Sequence, residues 1–418
     1  MNDSIKKIII IFLGSIGAAF LSFLTQIIIS RTLSVEDYGI IASSLAIAII
    51  VSPFIGFGIP NLLLSLASNK QTSISYYARS ITIYLIISTL LLLFGLVVYS
   101  FFFVKPFYKQ VVTVLFFIVT VSQVFIELTA VYYQSQQRFL NFTFVNLTQH
   151  FLRVLLLLVI FIIDVPKEVV SFAGVYSVSA FLVILVFLPI VRKLLYADYF
   201  SRPCLDSRAK NVCLMDLVRA SSPYGLSGVF FLTYYQIGLV FLGIFDKHEE
   251  AALFNVAFLL ISVVYLLPTS VFQKYFLPIV HKKYKAEFLS LKSDYYRLQK
   301  LSVFLGLACA LFIFLFGNHI LLMVFSDKYA DAKILLLIMT LAIPIKFLNT
   351  GMGSLLSHID NIKYKSKIMG VAAIASIFIN MILILFFEAI GAAVSMVLIE
   401  LILLVLFHNK VKNILGGI

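Results

Sequence analysis

The chain contains 418 residues, of which 62% are hydrophobic and 12% are charged, and its mean hydropathy is +1.07. Soluble domains average about 25% charged residues, so this composition excludes a soluble globular protein and indicates a polytopic membrane protein. The sequence also lacks the alternation of apolar and polar residues that marks membrane β-barrel strands, so we predict an all-α integral membrane fold.

Twelve segments of the chain are long and apolar enough to cross a bilayer, which takes about twenty residues of helix. The basic N-terminus, residues 1–7, precedes a first apolar run that is too long for a signal-peptide core, so an uncleaved first helix is expected. The first six spans are predicted at residues 8–30, 39–67, 80–103, 108–131, 143–163 and 169–190. The second six are predicted at residues 222–245, 251–277, 299–324, 333–356, 366–387 and 389–408.

A polar linker, residues 191–219, separates the sixth span from the seventh. We therefore predict an N-lobe of residues 1–190 and a C-lobe of residues 220–418, each with six helices. The stretch from Pro53 to Pro60 closes the second helix, Pro268 interrupts the eighth, and Pro344 interrupts the tenth. Broken helices at membrane depth are typical of proteins whose cavity opens and closes.

Basic residues are distributed unevenly when the N-terminus is placed in the cytoplasm. In this orientation 22 of the 32 Lys and Arg residues fall in cytoplasmic segments, and 7 fall in short outside loops. The positive-inside rule then places both termini in the cytoplasm. The net charge of +13 thus follows membrane topology, and no nucleic-acid partner is expected. Because Trp is absent, any interfacial aromatic belt must consist of Tyr and Phe.

Apart from basic residues at the very ends of predicted spans, three remain within them, namely Lys274, Lys346 and the most central one, Arg153. A guanidinium at the centre of a bilayer costs about 3 kcal/mol on insertion scales, so Arg153 should face protein, a wet cavity or a counter-charge. One interpretation is a cation that lines a substrate cavity. The alternative is a buried pair with Glu127 on the preceding span.

Arg153 belongs to a polar stripe on the fifth span. Residues spaced by three, four and seven positions lie on one face of a helix. The stripe is therefore a candidate binding surface, and it consists of Asn146, Gln149, His150 and Arg153.

Other polar residues are candidates for the same cavity. Lys346 lies near the middle of its span, and a binding role and a structural role both remain open. Glu127 and Glu400 are candidates for ion coupling or for an ion pair. Arg31, at the outer end of the first span, is a candidate for receiving a head group, although it can also pair with acidic residues of the adjacent loop. The remaining candidates are Gln26, Asn255 and Asn349.

Known catalytic and metal-binding motifs are absent from the sequence. It contains no GxxxxGK[ST] nucleotide-binding motif and no HExxH or GxSxG motif. Its three cysteines lack the spacing of a metal site. We therefore expect no cofactor and no enzymatic activity.

Four stretches, taken in order along the chain, carry a resemblance to a known family. They are residues 30–39 (SRTLSVEDYG), 132–139 (YYQSQQRF), 242–257 and 380–393. Together with twelve helices in two sixes, they resemble the multidrug/oligosaccharidyl-lipid/polysaccharide exporter (MOP) superfamily, and most closely its O-antigen and polysaccharide flippase (Wzx) branch. The third stretch departs from the family pattern, because Phe254 stands where a Tyr is common.

The resemblance implies two six-helix lobes around a central cavity, as in MATE transporters. It implies a bacterial inner-membrane protein that moves a polyprenyl-diphosphate-linked oligosaccharide from the cytoplasmic to the periplasmic leaflet. Its expected partners are that lipid-linked glycan, the lipid bilayer, and a polysaccharide polymerase with its chain-length machinery.

Two other functions compete with this interpretation. A cation-coupled drug exporter of the same superfamily would favour acidic residues in its cavity, whereas this chain has few acids at depth. A membrane polysaccharide polymerase or ligase would need a sizeable external loop, and every predicted outside loop is short.

Overall fold

The computed structural model describes residues 3–69, 75–104, 106–196, 213–284, 287–358 and 361–416. Within these ranges the regular elements are helices, which satisfy their backbone hydrogen bonds internally, as hydrocarbon requires. The first seven are α1 (Asp3–Thr32), α2 (Val35–Gly56), α3 (Ile59–Asn69), α4 (Ser75–Phe103), α5 (Phe107–Ser135), α6 (Phe139–Ile163) and α7 (Val169–Tyr196). The next seven are α8 (Leu214–Ile244), α9 (His248–Thr269), α10 (Leu277–Lys283), α11 (Phe288–Phe325), α12 (Ala332–Thr340), α13 (Ala342–Leu355) and α14 (Ile362–Gly416).

The number of membrane spans in the structure agrees with the twelve predicted from the sequence. In the described part of the chain, ten helices are long and apolar enough to cross a membrane, and α12 with α13 forms an eleventh span bent by 43°. At about 1.5 Å per residue, the 55-residue α14 is far too long for one crossing of a hydrocarbon core of about 30 Å. It is divided at Glu388, whose φ of 50° and ψ of −129° are not helical. This division gives a twelfth span and confirms the predicted all-α, twelve-span fold.

The chain forms two compact units. The first unit comprises Met1–Leu33 and Ser44–Val229, and the second comprises Ser34–Ser43 and Phe230–Ile418. Helix α2 therefore begins in the second unit and continues in the first, whereas α8 begins in the first unit and continues in the second. Residues 197–212, which make up most of the predicted linker, lie outside the described residues.

In the first unit, α5 packs against α7, and α1 packs against α6. A buried apolar cluster joins the end of α2 to α5, α7 and the start of α8, and it includes Ile55, Phe117, Leu128, Leu195 and Leu217. The chain turns between α2 and α3 at Phe57 and Gly58, which both have positive φ. Gly58 suits this position because a Cβ there would lie 2.4 Å from the backbone nitrogen of Gly225.

In the second unit, α13 packs between α11 and α14, and α12 contacts both α9 and α14. The core of the second unit includes Phe272, Phe276, Leu355, Leu403 and Phe407. Helix α9 continues through Pro268 and is followed by a π-helical segment, Ser270–Phe276. The irregularity predicted from Pro268 is thus a change of helix type two residues later, since the proline removes one backbone donor from the regular ladder.

The second unit also gives a physical reason for two of the stretches noted in the sequence. Gly39 of α2 lies against the start of α9, where a Cβ would stand only 1.8 Å from the carbonyl oxygen of His248. One residue earlier, the buried Tyr38 hydroxyl accepts a hydrogen bond from Asn255 Nδ2 at 2.8 Å. The sequences 30–39 and 242–257 therefore meet through a close backbone approach and one buried hydrogen bond.

Candidate functional site

Arg153 is buried in the first unit, with 7% of its surface exposed. It lies on a face of α6 that also buries Val145, Gln149, Leu157 and Ile160. Its guanidinium carbon is 4.5 Å from the centroid of the Tyr176 ring on α7. The electron-rich face of an aromatic ring attracts a cation, and the attraction is stronger when both groups are removed from water. The Tyr176 ring thus stabilises this charge.

Neutral polar groups from two further helices surround the same position. Gln26 on α1 donates a hydrogen bond from Nε2 to the Tyr176 hydroxyl at 3.0 Å. Gln149 on α6 donates from Nε2 to the Ser122 hydroxyl on α5 at 2.9 Å. Gln26, Gln149 and Tyr176 are all buried. Four helices, α1, α5, α6 and α7, therefore contribute side chains to this polar cluster.

The other two residues of the predicted stripe are half-buried rather than buried. Asn146 donates from Nδ2 to the carbonyl of Phe142 at 2.8 Å, so one of its polar groups is satisfied within its own helix. The Nδ1 atom of His150 is buried and has no hydrogen-bond partner among the described residues.

The charge of Arg153 is not neutralised by a carboxylate in the described part of the chain. Glu127 accepts a hydrogen bond from Gln123 at 3.1 Å, one turn earlier on α5, and among the described residues it is not paired with Arg153. The alternative in which these two residues form a buried pair is therefore not the arrangement in this structure. The Nε atom of Arg153 is buried, and it too has no partner among the described residues. A buried N–H donor without an acceptor is unfavourable unless a ligand or water accepts from it.

A second cluster lies in the second unit, where Lys346 on α13 meets Glu400 on α14. The Lys346 Nζ atom is 2.7 Å from Glu400 Oε1, and the side chains are 13% and 4% exposed. Asn349 donates from Nδ2 to Glu400 Oε2 at 2.7 Å and to the Glu400 carbonyl at 2.8 Å. Both carboxylate oxygens are thus occupied, and the pair is neutral overall.

Aromatic rings enclose the Lys346 ammonium. Its nitrogen lies 5.4 to 6.0 Å from four ring centroids, those of Phe231, Tyr234, Tyr235 and Tyr265. Lys346 also donates to the Tyr234 hydroxyl at 3.5 Å. This cage stabilises a desolvated cation from several sides, in addition to the carboxylate.

The tyrosines of both clusters were not predicted as site residues, since the only role considered for Tyr and Phe was to supply any interfacial belt. Tyr176 and Tyr38 are fully buried, and they position Arg153 and Asn255, respectively. The pair Tyr234-Tyr235, inside a predicted span and away from its ends, is the signal that could have revealed the cage. An interfacial residue lies at the end of a span, so a tyrosine pair in the middle needs interior partners.

Two predicted residues remain, Asn255 and Arg31. Asn255 is buried in the second unit and bonds to Tyr38. Arg31 lies in the last turn of α1 and is exposed.

The two clusters differ in net charge. Arg153 brings a positive charge into the first unit without a carboxylate beside it, whereas Lys346 and Glu400 cancel one another in the second. A charge that is buried without a counter-ion is expensive, and within membranes such residues mark the sites that bind substrates or ions. The Arg153 cluster is therefore the stronger candidate for an anion-binding site.

The fold and these clusters define a class of protein, namely a multi-pass helical membrane protein with polar groups buried between its helices. The profile of the polysaccharide biosynthesis protein family matches residues 4–283, and the chain belongs to this family. No curated protein sequence matches the chain.

Several solved structures share the fold. The lipid II flippase MurJ, in an inward closed conformation, aligns with a TM-score of 0.65 and 14% identity over 97% of this chain and 87% of its own. An outward-facing multidrug resistance MATE family transporter of the MOP superfamily aligns with a TM-score of 0.61 and 14% identity, over 99% and 95%. The Vibrio cholerae MATE transporter VcmN aligns with a TM-score of 0.60 and 11% identity, over 99% and 97%. The chain therefore has the MOP-superfamily fold.

Proposed function

We propose that this protein is a flippase of the Wzx type, which moves a polyprenyl-diphosphate-linked oligosaccharide from the cytoplasmic to the periplasmic leaflet of the bacterial inner membrane. Membership of a polysaccharide biosynthesis family supports a glycan substrate. The fold shared with a lipid II flippase supports a lipid-linked one. In this proposal both termini are cytoplasmic, as the distribution of basic residues indicates.

The observation that carries the proposal is the state of Arg153. Its guanidinium is buried, it has no carboxylate partner among the described residues, and its Nε hydrogen has no acceptor there. A diphosphate supplies what the site lacks, namely negative charge and several acceptor oxygens. Guanidinium binds phosphate oxygens through two parallel hydrogen bonds, which fixes the orientation of the head group as well as its charge.

The mechanism we infer is alternating access. Arg153 holds the diphosphate at mid-depth while the two lobes rock, so that the anion never contacts hydrocarbon. Gln26, Gln149 and the stripe residue Asn146 provide neutral hydrogen-bonding groups for the sugars nearest the diphosphate. The polyprenyl tail remains in the bilayer. A polysaccharide polymerase on the periplasmic side would then consume the delivered glycan.

Substitution of Arg153 tests this role in cells that lack the native gene. Arg153→Ala should abolish assembly of the surface glycan while the protein remains at its normal level in the membrane. Arg153→Lys should retain part of the activity, because an ammonium keeps the charge but not the paired hydrogen bonds. Arg192, an exposed arginine on α7, supplies the matched control, and Arg192→Ala should behave like the wild type. Full activity of Arg153→Ala would exclude the diphosphate-binding role.

Two variants of Tyr176 test whether its ring holds Arg153 in position. Tyr176→Phe keeps the ring beneath the guanidinium and removes only the hydroxyl that accepts from Gln26, so it should retain most of the activity. Tyr176→Leu removes the ring itself, and the attraction it loses amounts to about 2 kcal/mol at a desolvated site. Transport by this variant should fall at least tenfold. Equal transport by the two variants would show that the ring does not position Arg153.

A drug exporter remains the second candidate, because some of the similar structures are described as multidrug transporters. A cavity for cationic drugs needs an available carboxylate, and Glu400 is bound by both Lys346 and Asn349. Cells that lack the gene distinguish flippase activity from drug export. Loss of the gene should trap lipid-linked glycan in the cytoplasmic leaflet without changing drug sensitivity. The opposite result would assign the protein to drug export.

A further inference from the structure

The second unit contains a pocket that the Arg153 site does not use. It is partly open, and the roughly 370 Å³ of unfilled space at this position includes open solvent at the mouth. Helices α8, α9 and α14 form its wall. The residues that line it include Tyr234, Tyr235, Gly238, Phe258, Asn380 and Glu400.

Two walls of the pocket are aromatic. Phe231 stacks on Tyr235 with ring centroids 5.4 Å apart and an interplanar angle of 16°. Tyr235 meets Phe258 edge to face at 4.9 Å, and Phe258 stacks in turn on Phe254 at 6.0 Å. The rings thus form a continuous aromatic cluster across α8 and α9, and Tyr235, Phe254 and Phe258 of this cluster line the pocket. The negative faces of aromatic rings attract partly positive edges, including the axial C–H groups of a pyranose ring.

A polar group in the same pocket lacks a partner. Asn380 is 3% exposed, and its Nδ2 donates to the carbonyl and the hydroxyl of Ser376 at 2.8 and 3.2 Å. Its Oδ1 atom, by contrast, is buried and has no hydrogen-bond partner among the described residues. Such an acceptor calls for a ligand that donates a hydrogen bond.

The charges in this pocket argue against an ionic ligand. Glu400 lines the pocket, but its two oxygens are held by Lys346 and Asn349. A cation would have to displace the lysine ammonium, and an anion would approach a carboxylate. A neutral ligand avoids both of these costs. If it also has an apolar face and hydrogen-bond donors at its edge, it can contact the aromatic rings and donate to Asn380 Oδ1. Ligand sites generally combine aromatic walls with a few placed polar groups in this way.

We propose that this pocket is a sugar subsite for a neutral hexose or N-acetylhexosamine ring of the glycan. The sugar ring stacks on the aromatic side chains that line the pocket, and Asn380 Oδ1 accepts a hydrogen bond from a sugar hydroxyl or amide group. The proposal rests on the proposed flippase function for the origin of the sugar. It adds a site in the second unit that recognises the glycan independently of the diphosphate.

The absence of tryptophan from the chain allows a direct binding test. Phe231→Trp places a single reporter against Tyr235, at a position that is 37% exposed; residue 231 belongs to the aromatic cluster behind the pocket but is not one of the residues that line it. Phe304→Trp, 68% exposed on α11, is the control reporter. The full-length protein in detergent is titrated with a panel of methyl hexosides and methyl N-acetylhexosaminides. A saturable change in fluorescence is expected from the residue-231 reporter and none from the control.

Two glycines of α8 give a matched pair of blocking variants. A Cβ at Gly238 would lie 3.0 Å from Asn380 Oδ1 and would cap the acceptor, whereas a Cβ at Gly228 meets nothing within 4 Å. In the residue-231 reporter background, Gly238→Ala should abolish the sugar response and Gly228→Ala should preserve it. Asn380→Leu should weaken binding up to about tenfold, the worth of one hydrogen bond, while Asn380→Asp retains an acceptor and should bind sugar more tightly than the Leu variant.

Three results would overturn the subsite: no saturable response to any sugar, an equal response from the control reporter, or a response to sodium chloride but not to sugars. The outcome is separable from that of the flippase proposal. Sugar binding combined with a fully active Arg153→Ala protein would refute the diphosphate role alone. Loss of transport in Arg153→Ala without any sugar binding would refute the subsite alone.

Discussion

Lys346 and Glu400 form an ion pair in the interior of the second unit, with Nζ and Oε1 2.7 Å apart. Asn349 and four aromatic rings complete the surroundings of the two charges. Arg153, in the first unit, has an aromatic neighbour but no such counter-charge in the described structure. The contrast leads to different expectations for the removal of each cation.

Removing one member of the Lys346–Glu400 pair should destabilise the protein strongly. Lys346→Met leaves a carboxylate buried without its cation, and breaking a buried pair in this way costs about 3–5 kcal/mol. The variant with both Lys346→Met and Glu400→Gln leaves no charge behind and should recover most of that loss. Thermal unfolding of the purified protein in detergent measures both effects.

The exposed pair between Lys247 and Glu388 is the control for this comparison, since its side chains are 31% and 49% exposed. Exposed ion pairs contribute about 0–1 kcal/mol, so Lys247→Met should change the unfolding temperature little. A double variant no more stable than Lys346→Met alone would contradict the view that the uncompensated charge causes the loss.

Gly39 should tolerate no side chain, because the carbonyl oxygen of His248 stands 1.8 Å from the position of its Cβ. Gly39→Ala must push α2 away from the start of α9, and overpacking of this kind costs about 1–3 kcal/mol or more. Gly95 is the matched control, since it is an exposed helical glycine with nothing within 4 Å of its Cβ position. Gly95→Ala should leave stability unchanged or raise it by about 0.5–1 kcal/mol. Equal unfolding temperatures for the two variants would show that the close approach is not constraining.

Much of the fold was predictable because the bilayer imposes it. Apolar runs of about twenty residues were sufficient to predict the twelve spans. The positions of Pro53, Pro268 and Pro344 were sufficient to predict several of the points where the helices are irregular. The turn at Glu388 was predictable only as a gap between the eleventh and twelfth spans. Its positive φ is a property of the folded backbone, and its ion pair with Lys247 joins residues far apart in the chain, so neither follows from local sequence.

The candidate site was predictable in its charges but not in its partners. Arg153, Lys346 and Glu400 are conspicuous in a sequence because charge inside a span is costly. Which of them are paired depends on how helices pack. Lys346 and Glu400 are 54 residues apart and lie on different helices. Tyr176 remained unnoticed because a tyrosine in a membrane protein has no distinctive sequence context, and its role arises only where α7 meets α6.

Inorganic pyrophosphate provides a test of Arg153 that does not depend on transport. If the guanidinium binds the diphosphate of the substrate, then pyrophosphate should stabilise the folded protein against heat, by about 2.7 kcal/mol when its concentration is a hundred times Kd. The measurement should be made at about 0.15 M salt. The Debye length is then about 8 Å, and the attraction of pyrophosphate to exposed surface lysines is largely screened. The stabilisation should disappear in Arg153→Ala and persist in part in Arg153→Lys. It should remain in the variant with both Lys346→Met and Glu400→Gln, whose changes lie in the other unit. Stabilisation of equal size in Arg153→Ala would place the anion elsewhere and would remove the reason for assigning the head group to this residue.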